Sequence, residues 1–200
     1  MRAYHFLRED MTAASGNEPP WKVGEERTVK GDLVMCEHGY HSSPSWLDSL
    51  QYAPGPIACI VEIPKRGTKH DTDKQVSRKR KLIAAVDATT VLRLFACDCA
   101  ERALTAEREA GREPDKRSWT AIEVARRFAE GNATLEELSA ARSAAWSAWS
   151  AAESAAWSAE GAAWSAARSA AWMAARSRQS TRLTEMLDAL FQDQLSERGE

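Results

Sequence analysis

Residues 57–63 read IACIVEI, and this almost continuously apolar stretch decides the fold class. A short apolar run that follows a turn rich in proline and glycine is typical of a buried central β-strand. Shorter runs of the same kind occur at residues 28–30, 33–35 and 82–86, each bounded by glycine, proline or charged residues. The sequence therefore predicts a small, mostly β domain over residues 1–88.

Beyond residue 88 the spacing of the apolar residues becomes helical. Gly111 and Gly131 mark the ends of two predicted helices, and Asp115 is placed to cap the second. Thr134 and Glu137 have the spacing of a capping box at the start of a third. The last helix has an apolar face that comprises Leu183, Met186, Leu187, Leu190 and Phe191. We therefore predict an α+β protein in which an Ala- and Trp-rich helical bundle, residues 89–200, follows the β domain.

Composition and charge exclude several classes of protein. The chain has 200 residues, 44% of them hydrophobic, which is enough for an apolar core. Its 27 basic and 29 acidic residues give a net charge of −2, so we expect no DNA, RNA or membrane binding driven by charge. The basic run Arg78–Lys81 is expected to be solvated. Because no apolar stretch suits a membrane span or a signal peptide, the four cysteines are expected to be reduced thiols in the cytoplasm.

Residues 139–176 form a segment that consists almost entirely of Ala, Ser and Trp. At about 100° per residue, its tryptophans fall within one sector of roughly 140° on a helix. This tryptophan sector comprises Trp146, Trp149, Trp157, Trp164 and Trp172. Arg142 and Arg168 lie in or beside the sector, and most of the remaining surface is alanine. The sequence therefore predicts an amphipathic helix with an alanine face opposite an aromatic one.

Two interpretations of the tryptophan sector are open. Aromatic residues at helical spacing are usually core, where each indole buries about 150–250 Å². In the second interpretation, the tryptophans and the two arginines form a groove for a partner or ligand. The alanine face allows close helix packing and suits a homo-oligomer. One helix over residues 134–196 would be roughly 95 Å long, so we predict a break at Gly161 or within residues 176–181.

Three possible zinc ligands, Cys36, His38 and His41, occur within six residues, and Cys59 offers a fourth. Structural zinc sites usually show two separated pairs of ligands, and this spacing is irregular. We therefore favour the interpretation in which Gly39 makes a turn and His41 forms a local hydrogen bond. No metal and no other cofactor is expected.

An enzymatic alternative depends on His5, Tyr40 and Glu62. Their order, with a histidine on the first strand, a tyrosine after glycine and a glutamate near a strand end, resembles the layout of ADP-ribosyltransferase-type folds. In that family the histidine and tyrosine hold the nicotinamide dinucleotide, and the glutamate stabilises the developing oxocarbenium ion. The resemblance implies these roles for the three residues.

Two further resemblances cover larger parts of the chain. Residues 94–104 (LFACDCAERAL), residues 121–131 (AIEVARRFAEG), the Ala-rich repeats and the last helix resemble the all-helical immunity proteins of bacterial polymorphic-toxin loci. Residues 3–7 (AYHFL), 36–43 (CEHGYHSS) and 71–78 (DTDKQVSR) resemble a small domain of phage and bacterial proteins. The second resemblance implies no chemistry, because none is established for that domain.

The leading functional prediction is non-enzymatic. The chain is expected to be a phage or bacterial interaction protein that binds and neutralises a toxin or defence factor, which is either a protein or a small nucleotide signal. The predicted contacts are the tryptophan sector with Arg142 and Arg168, because aromatic rings stack on planar groups and arginine recognises phosphate. The alternatives are a nucleotide-dependent transferase and a structural phage component that oligomerises through its alanine face.

Overall fold

The computed structural model describes residues 1–14, 18–156 and 164–197, and it describes only the backbone of residues 148–156, 164–174, 195 and 197. The predicted α+β fold is confirmed, because antiparallel sheets within residues 2–87 are followed by helices. The strands are β1 Arg2–Leu7, β2 Glu26–Thr28, β3 Tyr40–Ser42, β4 Ile57–Glu62, β5 Lys69–His70, β6 Gln75–Ser77 and β7 Lys79–Asp87. The helices are α1 Trp46–Leu50, α2 Thr89–Glu109, α3 Lys116–Ala129, α4 Leu135–Ala156 and α5 Trp164–Glu197.

The chain divides into two compact units. The β unit comprises Met1–Thr89 together with Ser180–Glu200, and the helical unit comprises Thr90–Gln179. The sequence pattern grouped all of residues 89–200 into one helical domain, whereas the end of α5 packs with the sheets. Helical periodicity shows which face of a helix is apolar, but it does not show which element covers that face.

Two antiparallel sheets form the β unit. The larger has the strand order β1-β4-β7-β2, and the smaller has the order β3-β6-β5. The sheets are joined where Tyr4 and Ser43 exchange two backbone hydrogen bonds of 3.0 and 2.9 Å. They are joined again where β6 continues into β7. Residues 33–35, predicted as a strand, form only an isolated bridge between Val34 and His38.

Side chains alternate between the two faces of β1 and β4, as the pleat of a strand requires. The residues of one face form the apolar core cluster, which comprises Ala3, Leu7, Trp21, Ile57, Cys59, Val61, Ile63 and Leu82. The predicted buried strand at residues 57–63 is therefore confirmed as β4 and the residue that follows it. His5 lies on this same face, opposite Cys59 in the β1–β4 register.

The other face of β1 is covered by aromatic residues and by the end of α5. Tyr4 and Phe6 contact the ring of Trp46 on α1, with ring centroids 4.4 and 5.8 Å apart. Trp46 in turn stacks on Phe191 at 5.7 Å. Leu183 and Leu187, which precede Phe191 by two helical turns and one, are fully buried. The last helix therefore serves as a wall of the β unit.

In the helical unit, the predicted caps are confirmed. The Asp115 side chain accepts a hydrogen bond from the backbone nitrogen of Arg117 at 2.8 Å. The Thr134 hydroxyl accepts from the backbone nitrogen of Glu137 at 3.1 Å, and the carboxylate of Glu137 accepts from the Thr134 nitrogen at 2.7 Å.

Among the described residues, no helix is long and apolar enough to cross a membrane.

One of the two predicted helix breaks is wrong. Helix α5 runs without interruption through residues 176–181. That stretch lacks large apolar residues, but it contains neither glycine nor proline, so nothing in it interrupts the backbone hydrogen bonds. The other predicted break, Gly161, lies outside the described residues.

Candidate functional site

A cavity of about 290 Å³ lies within the β unit. Its wall is formed by β1, β3, β7 and the loops beside them. The side chains that define its chemistry are His5, Tyr40, His41, Ser42, Lys74 and Arg80. Basic, aromatic and hydroxyl-bearing groups thus meet in one pocket, whose volume is just below the range of about 300–1,000 Å³ that is usual for ligand sites.

Arg80, on β7, is the buried cation of this wall and is only 3% exposed. One guanidinium nitrogen donates a hydrogen bond of 2.8 Å to the backbone oxygen of His41. Burial lowers the pKa of Arg80 to about 10, which still leaves it charged at neutral pH. Within the part of the chain that the structure describes, no carboxylate forms an ion pair with it. A buried cation that no carboxylate contacts is costly, and an anionic ligand would contact it directly.

The carboxylate of Glu18 also faces the cavity, but its contacts are with other groups. It accepts a hydrogen bond of 3.2 Å from the indole nitrogen of Trp21 and forms an ion pair of 3.6 Å with Arg27. Arg27 is neutralised a second time by Glu25, at 2.7 Å. Glu18 therefore pairs directly with Arg27, while its charge also acts on Arg80 and raises the pKa of that guanidinium.

His5 and Ser42 supply two buried polar atoms that lack a hydrogen-bond partner among the described residues, the Nε2 atom and the Oγ atom respectively. The antiparallel bridge between Tyr4 and Ser43 sets His5 across from Ser42, so both side chains lie on one side of the sheet. Burial, followed by the charges of Arg80 and His41, holds the pKa of His5 well below its usual range. The imidazole is therefore neutral at pH 7, and its Nε2 is available to a ligand.

The mouth of the cavity carries an aromatic ring and a second cation. The Tyr52 hydroxyl donates to Asp73 at 2.8 Å, and the ammonium of Lys74 lies 5.3 Å from the centre of the Tyr52 ring. The neighbouring thiol of Cys36 raises the pKa of that ammonium. Burial raises the pKa of Tyr40, which keeps its phenol protonated deeper in the cavity.

The three possible zinc ligands make other contacts. The Nε2 atom of His41 accepts a hydrogen bond of 2.8 Å from the backbone nitrogen of Cys36, and the Nε2 atom of His38 lies 2.7 Å from the backbone oxygen of Lys30. Cys59 is buried in β4, where burial raises the pKa of its thiol to about 12. Among the described residues, no group of three or more His, Cys, Asp or Glu is arranged to hold a metal ion.

The structure brings together two of the three residues of the transferase alternative. His5 and Tyr40 both line the cavity, but Glu62 does not. Glu62 pairs with Arg2 at the far end of β1, three positions from the pair formed by His5 and Cys59. Because side chains alternate along a strand, this odd separation directs Glu62 to the opposite face of the sheet. The predicted transferase site therefore lacks its glutamate. Among the described residues that line the cavity, no glutamate follows Tyr40 in the sequence, as the resemblance requires.

The predicted tryptophan contacts are described only in part. Trp146 is 67% exposed, and Arg142 is also exposed on α4. The predicted binding residues Trp149, Trp157, Trp164, Trp172 and Arg168 lie outside the residues whose side chains the structure describes. For Trp146, the solvent-facing interpretation of the sector fits better than the core interpretation.

Sequence reasoning missed Arg80 and Ser42. The run Arg78–Lys81 was expected to be solvated, yet Arg80 is buried while its neighbour Lys79 is exposed. The signal was available, because Arg80 and Leu82 are two residues apart on one strand and therefore share a face. A charged residue that shares a strand face with a buried leucine lies either at the end of the strand or at a functional site.

Comparison with known proteins adds one match. Residues 1–94 match the family described as a domain of unknown function (DUF7666). The match covers slightly less than half of the chain, and it includes every residue that lines the cavity. No curated protein and no solved structure matches the chain. The resemblance of the helical part to immunity proteins stays a prediction.

Proposed function

We propose that this protein is a non-enzymatic binding protein that takes a small anionic ligand into the cavity of its β unit. The observation that carries the proposal is Arg80, a buried guanidinium that faces the cavity without a carboxylate partner among the described residues. Two unpartnered polar atoms, from His5 and Ser42, lie on the same wall. An oxyanion would satisfy all three groups at once.

In this proposal, binding the anion is how the protein neutralises a toxin or a defence system. A small nucleotide signal has the phosphate that Arg80 would recognise, and sequestration needs no catalytic residue. The protein would act in the cytoplasm, where such signals are made. The ligand contacts that we propose therefore lie in the β unit and not in the tryptophan sector that the sequence predicted.

A second candidate is binding of a protein toxin or defence factor through α4. The exposed Trp146 together with the exposed Arg142 favours it, because tryptophan and arginine are enriched at protein interfaces. Homo-oligomerisation through the alanine face remains a prediction.

Isothermal titration of the full chain with inorganic phosphate tests the leading proposal. The wild-type protein should bind, and Arg80→Met should weaken binding at least about tenfold, because a buried charge pair is lost. Arg66→Met removes an exposed charge and is the matched control. Absence of phosphate binding to the wild-type chain, or equal affinity for a folded Arg80→Met variant, would overturn the proposal. Native mass spectrometry of protein purified from cells would then show whether a protein partner is retained instead.

A further inference from the structure

We infer that the cavity is built for a doubly charged oxyanion, the terminal group of a phosphate monoester. In this arrangement Arg80 supplies one fixed positive charge, and His5 supplies a second by taking up a proton as the anion enters. The inference rests on the proposed function, since it names the class of ligand and the regulation of the same cavity. The only bond formed is the N–H bond on the His5 imidazole, whose proton comes from the buffer acid in solvent, and no bond of the ligand is broken.

The position of His5 is the first argument. Its neighbour across the sheet on one side is Cys59, and on the other side it lies across from Ser42. Its Nε2 atom is buried and has no partner among the described residues, and the side chain lines the cavity. Buried polar atoms are normally paired, so an unpaired ring nitrogen on a cavity wall indicates a position that a ligand completes.

The charge balance of the cavity is the second argument. The titratable and charged groups that face His5 from the surrounding elements are Arg80, His41, Tyr40, Cys59, Glu18 and Lys74. Tyr40 and Cys59 stay neutral because burial raises the pKa of each. Glu18 is paired with Arg27. Arg27, Arg80, Glu18 and Glu25 together carry no net charge, and Lys74 at the mouth adds one positive charge. The groups around the cavity therefore match a single negative charge, and a dianion leaves one negative charge in excess.

Protonation of His5 removes that excess. Without a ligand, burial and the positive charge of Arg80 oppose a second charge on the imidazole. A bound dianion reverses the sign of the field at Nε2, so the imidazolium becomes the favoured form and donates to a ligand oxygen. The hydroxyl of Ser42 then donates to the same group.

The neighbouring His41 does not fit this role. Its Nε2 atom already accepts a hydrogen bond from the backbone nitrogen of Cys36, and protonating that atom would break the bond. Its backbone oxygen is held by Arg80. His41 is therefore a matched control, since it is a second histidine on the same cavity wall whose ring nitrogen is occupied.

Calorimetry of the full chain with sulfate tests the proton uptake. Sulfate is a dianion that does not titrate near neutral pH, so a proton taken up on binding belongs to the protein. Titrations in buffers of different ionisation enthalpy should show uptake of close to one proton per sulfate at about pH 6.5 to 7. The affinity should rise about tenfold for each pH unit that the pH falls in this range. His5→Gln and His5→Asn should abolish the uptake, whereas His41→Gln should retain it.

Methyl phosphate and dimethyl phosphate test the class of ligand, because they differ by one negative charge and one methyl group. We expect the monoester to bind at least tenfold more tightly than the diester. Anion binding without proton uptake, uptake that persists in the folded His5 variants, or equal affinity for the two esters would overturn this inference but leave the proposed function standing. Failure of phosphate, sulfate and methyl phosphate to bind the wild-type chain would overturn both.

Discussion

Arg27 and Arg80 face each other across the β2–β7 ladder, and both guanidinium groups lie over the ring of Trp21, at 4.1 and 4.5 Å from its centroid. The two cations have opposite surroundings. Arg27 pairs with Glu25 and Glu18 and donates to the backbone oxygens of residues 19 and 20. Arg80 is the more buried of the two, and its one hydrogen bond among the described residues is to a backbone oxygen. Arg27 is therefore a structural cation, and Arg80 is the cation that we propose binds the ligand.

Substitution of these two arginines should have opposite effects on stability. The pKa of Arg80, lowered to about 10 by burial, corresponds to about 3 kcal/mol against the charged form in the folded state. Arg80→Met removes that penalty and loses one hydrogen bond and the ring contacts, so we expect the free energy of unfolding to rise by about 1–2 kcal/mol. Arg27→Met leaves two carboxylates without their cation and should cost about 2 kcal/mol.

Urea unfolding of the two variants and the wild type, followed by circular dichroism, measures this difference. Gain of stability with loss of phosphate binding in Arg80→Met is the pattern of a residue retained for function at a cost in stability. An Arg80→Met variant that is less stable than Arg27→Met would show that Arg80 is a structural residue.

Stability should also fall in mild acid because of His5. Its folded-state pKa is lowered first by burial and then by Arg80, whereas in the unfolded chain the imidazole titrates near its ordinary value of about 6.5. Below that pH the unfolded state binds a proton that the folded state does not, so the free energy of unfolding decreases as the pH falls. The slope for one histidine is about 1.4 kcal/mol per pH unit, and it persists until the pH reaches the lowered value.

Urea unfolding at several pH values between about 5 and 7.5 gives the slope. His5→Gln should reduce the slope by about 1.4 kcal/mol per pH unit, which is the contribution of one proton. His70→Gln, which changes an exposed residue of β5, is the matched control and should leave it unchanged. If His5→Gln has the same slope as the wild type, His5 is not buried as a neutral imidazole.

Much of the fold could be predicted from the sequence, because its elements follow local rules. The strand at residues 57–63, the capping box at Thr134 and the apolar face from Leu183 to Phe191 are all set by spacing and side-chain type. The packing of the last helix on β1 could not be predicted, since an amphipathic face specifies burial but not the partner. The stacking of Trp46 on Phe191 joins residues 145 positions apart, at a separation that no local pattern reaches.

The site was predicted less completely than the fold. His5 and Tyr40 were singled out as functional residues, and both line the cavity. Arg80 was overlooked because a basic run suggests solvent, although its spacing of two residues from Leu82 places it on the buried face of β7. Ser42 is placed by the pairing of β3 with β6 and by one bridge between β1 and β3, which no sequence pattern marks.

Gly39 should be difficult to replace with any other residue. It has a φ of +123°, and a Cβ atom placed on it would lie 2.5 Å from Val76 and 2.8 Å from Leu33. Gly39→Ala combines an unfavourable backbone conformation with overpacking, so we expect the free energy of unfolding to fall by about 2–5 kcal/mol. Gly24 has a φ of +87° with nothing within 4 Å, and Gly24→Ala should cost only about 1–2 kcal/mol. Equal losses of unfolding free energy in the two variants would show that the contacts at Gly39 give way without cost.

Phe191 should be essential to the β unit although it lies near the other end of the chain. It is 5% exposed and stacks on Trp46, which itself contacts Tyr4 and Phe6 of β1. Phe191→Ala leaves a cavity against these rings, so we expect the free energy of unfolding to fall by about 3–5 kcal/mol.

Hydrogen–deuterium exchange shows where that loss falls. In Phe191→Ala the amides of β1 and β4 should exchange faster, because the sheet loses cover on one face. Gln192→Ala changes the adjacent, exposed residue of the same helix and should shift stability by no more than about 0.5 kcal/mol. If Phe191→Ala speeds exchange in α5 but leaves β1 and β4 as protected as in the wild type, the end of α5 does not stabilise the sheet. The β unit would then be complete without residues 180–200.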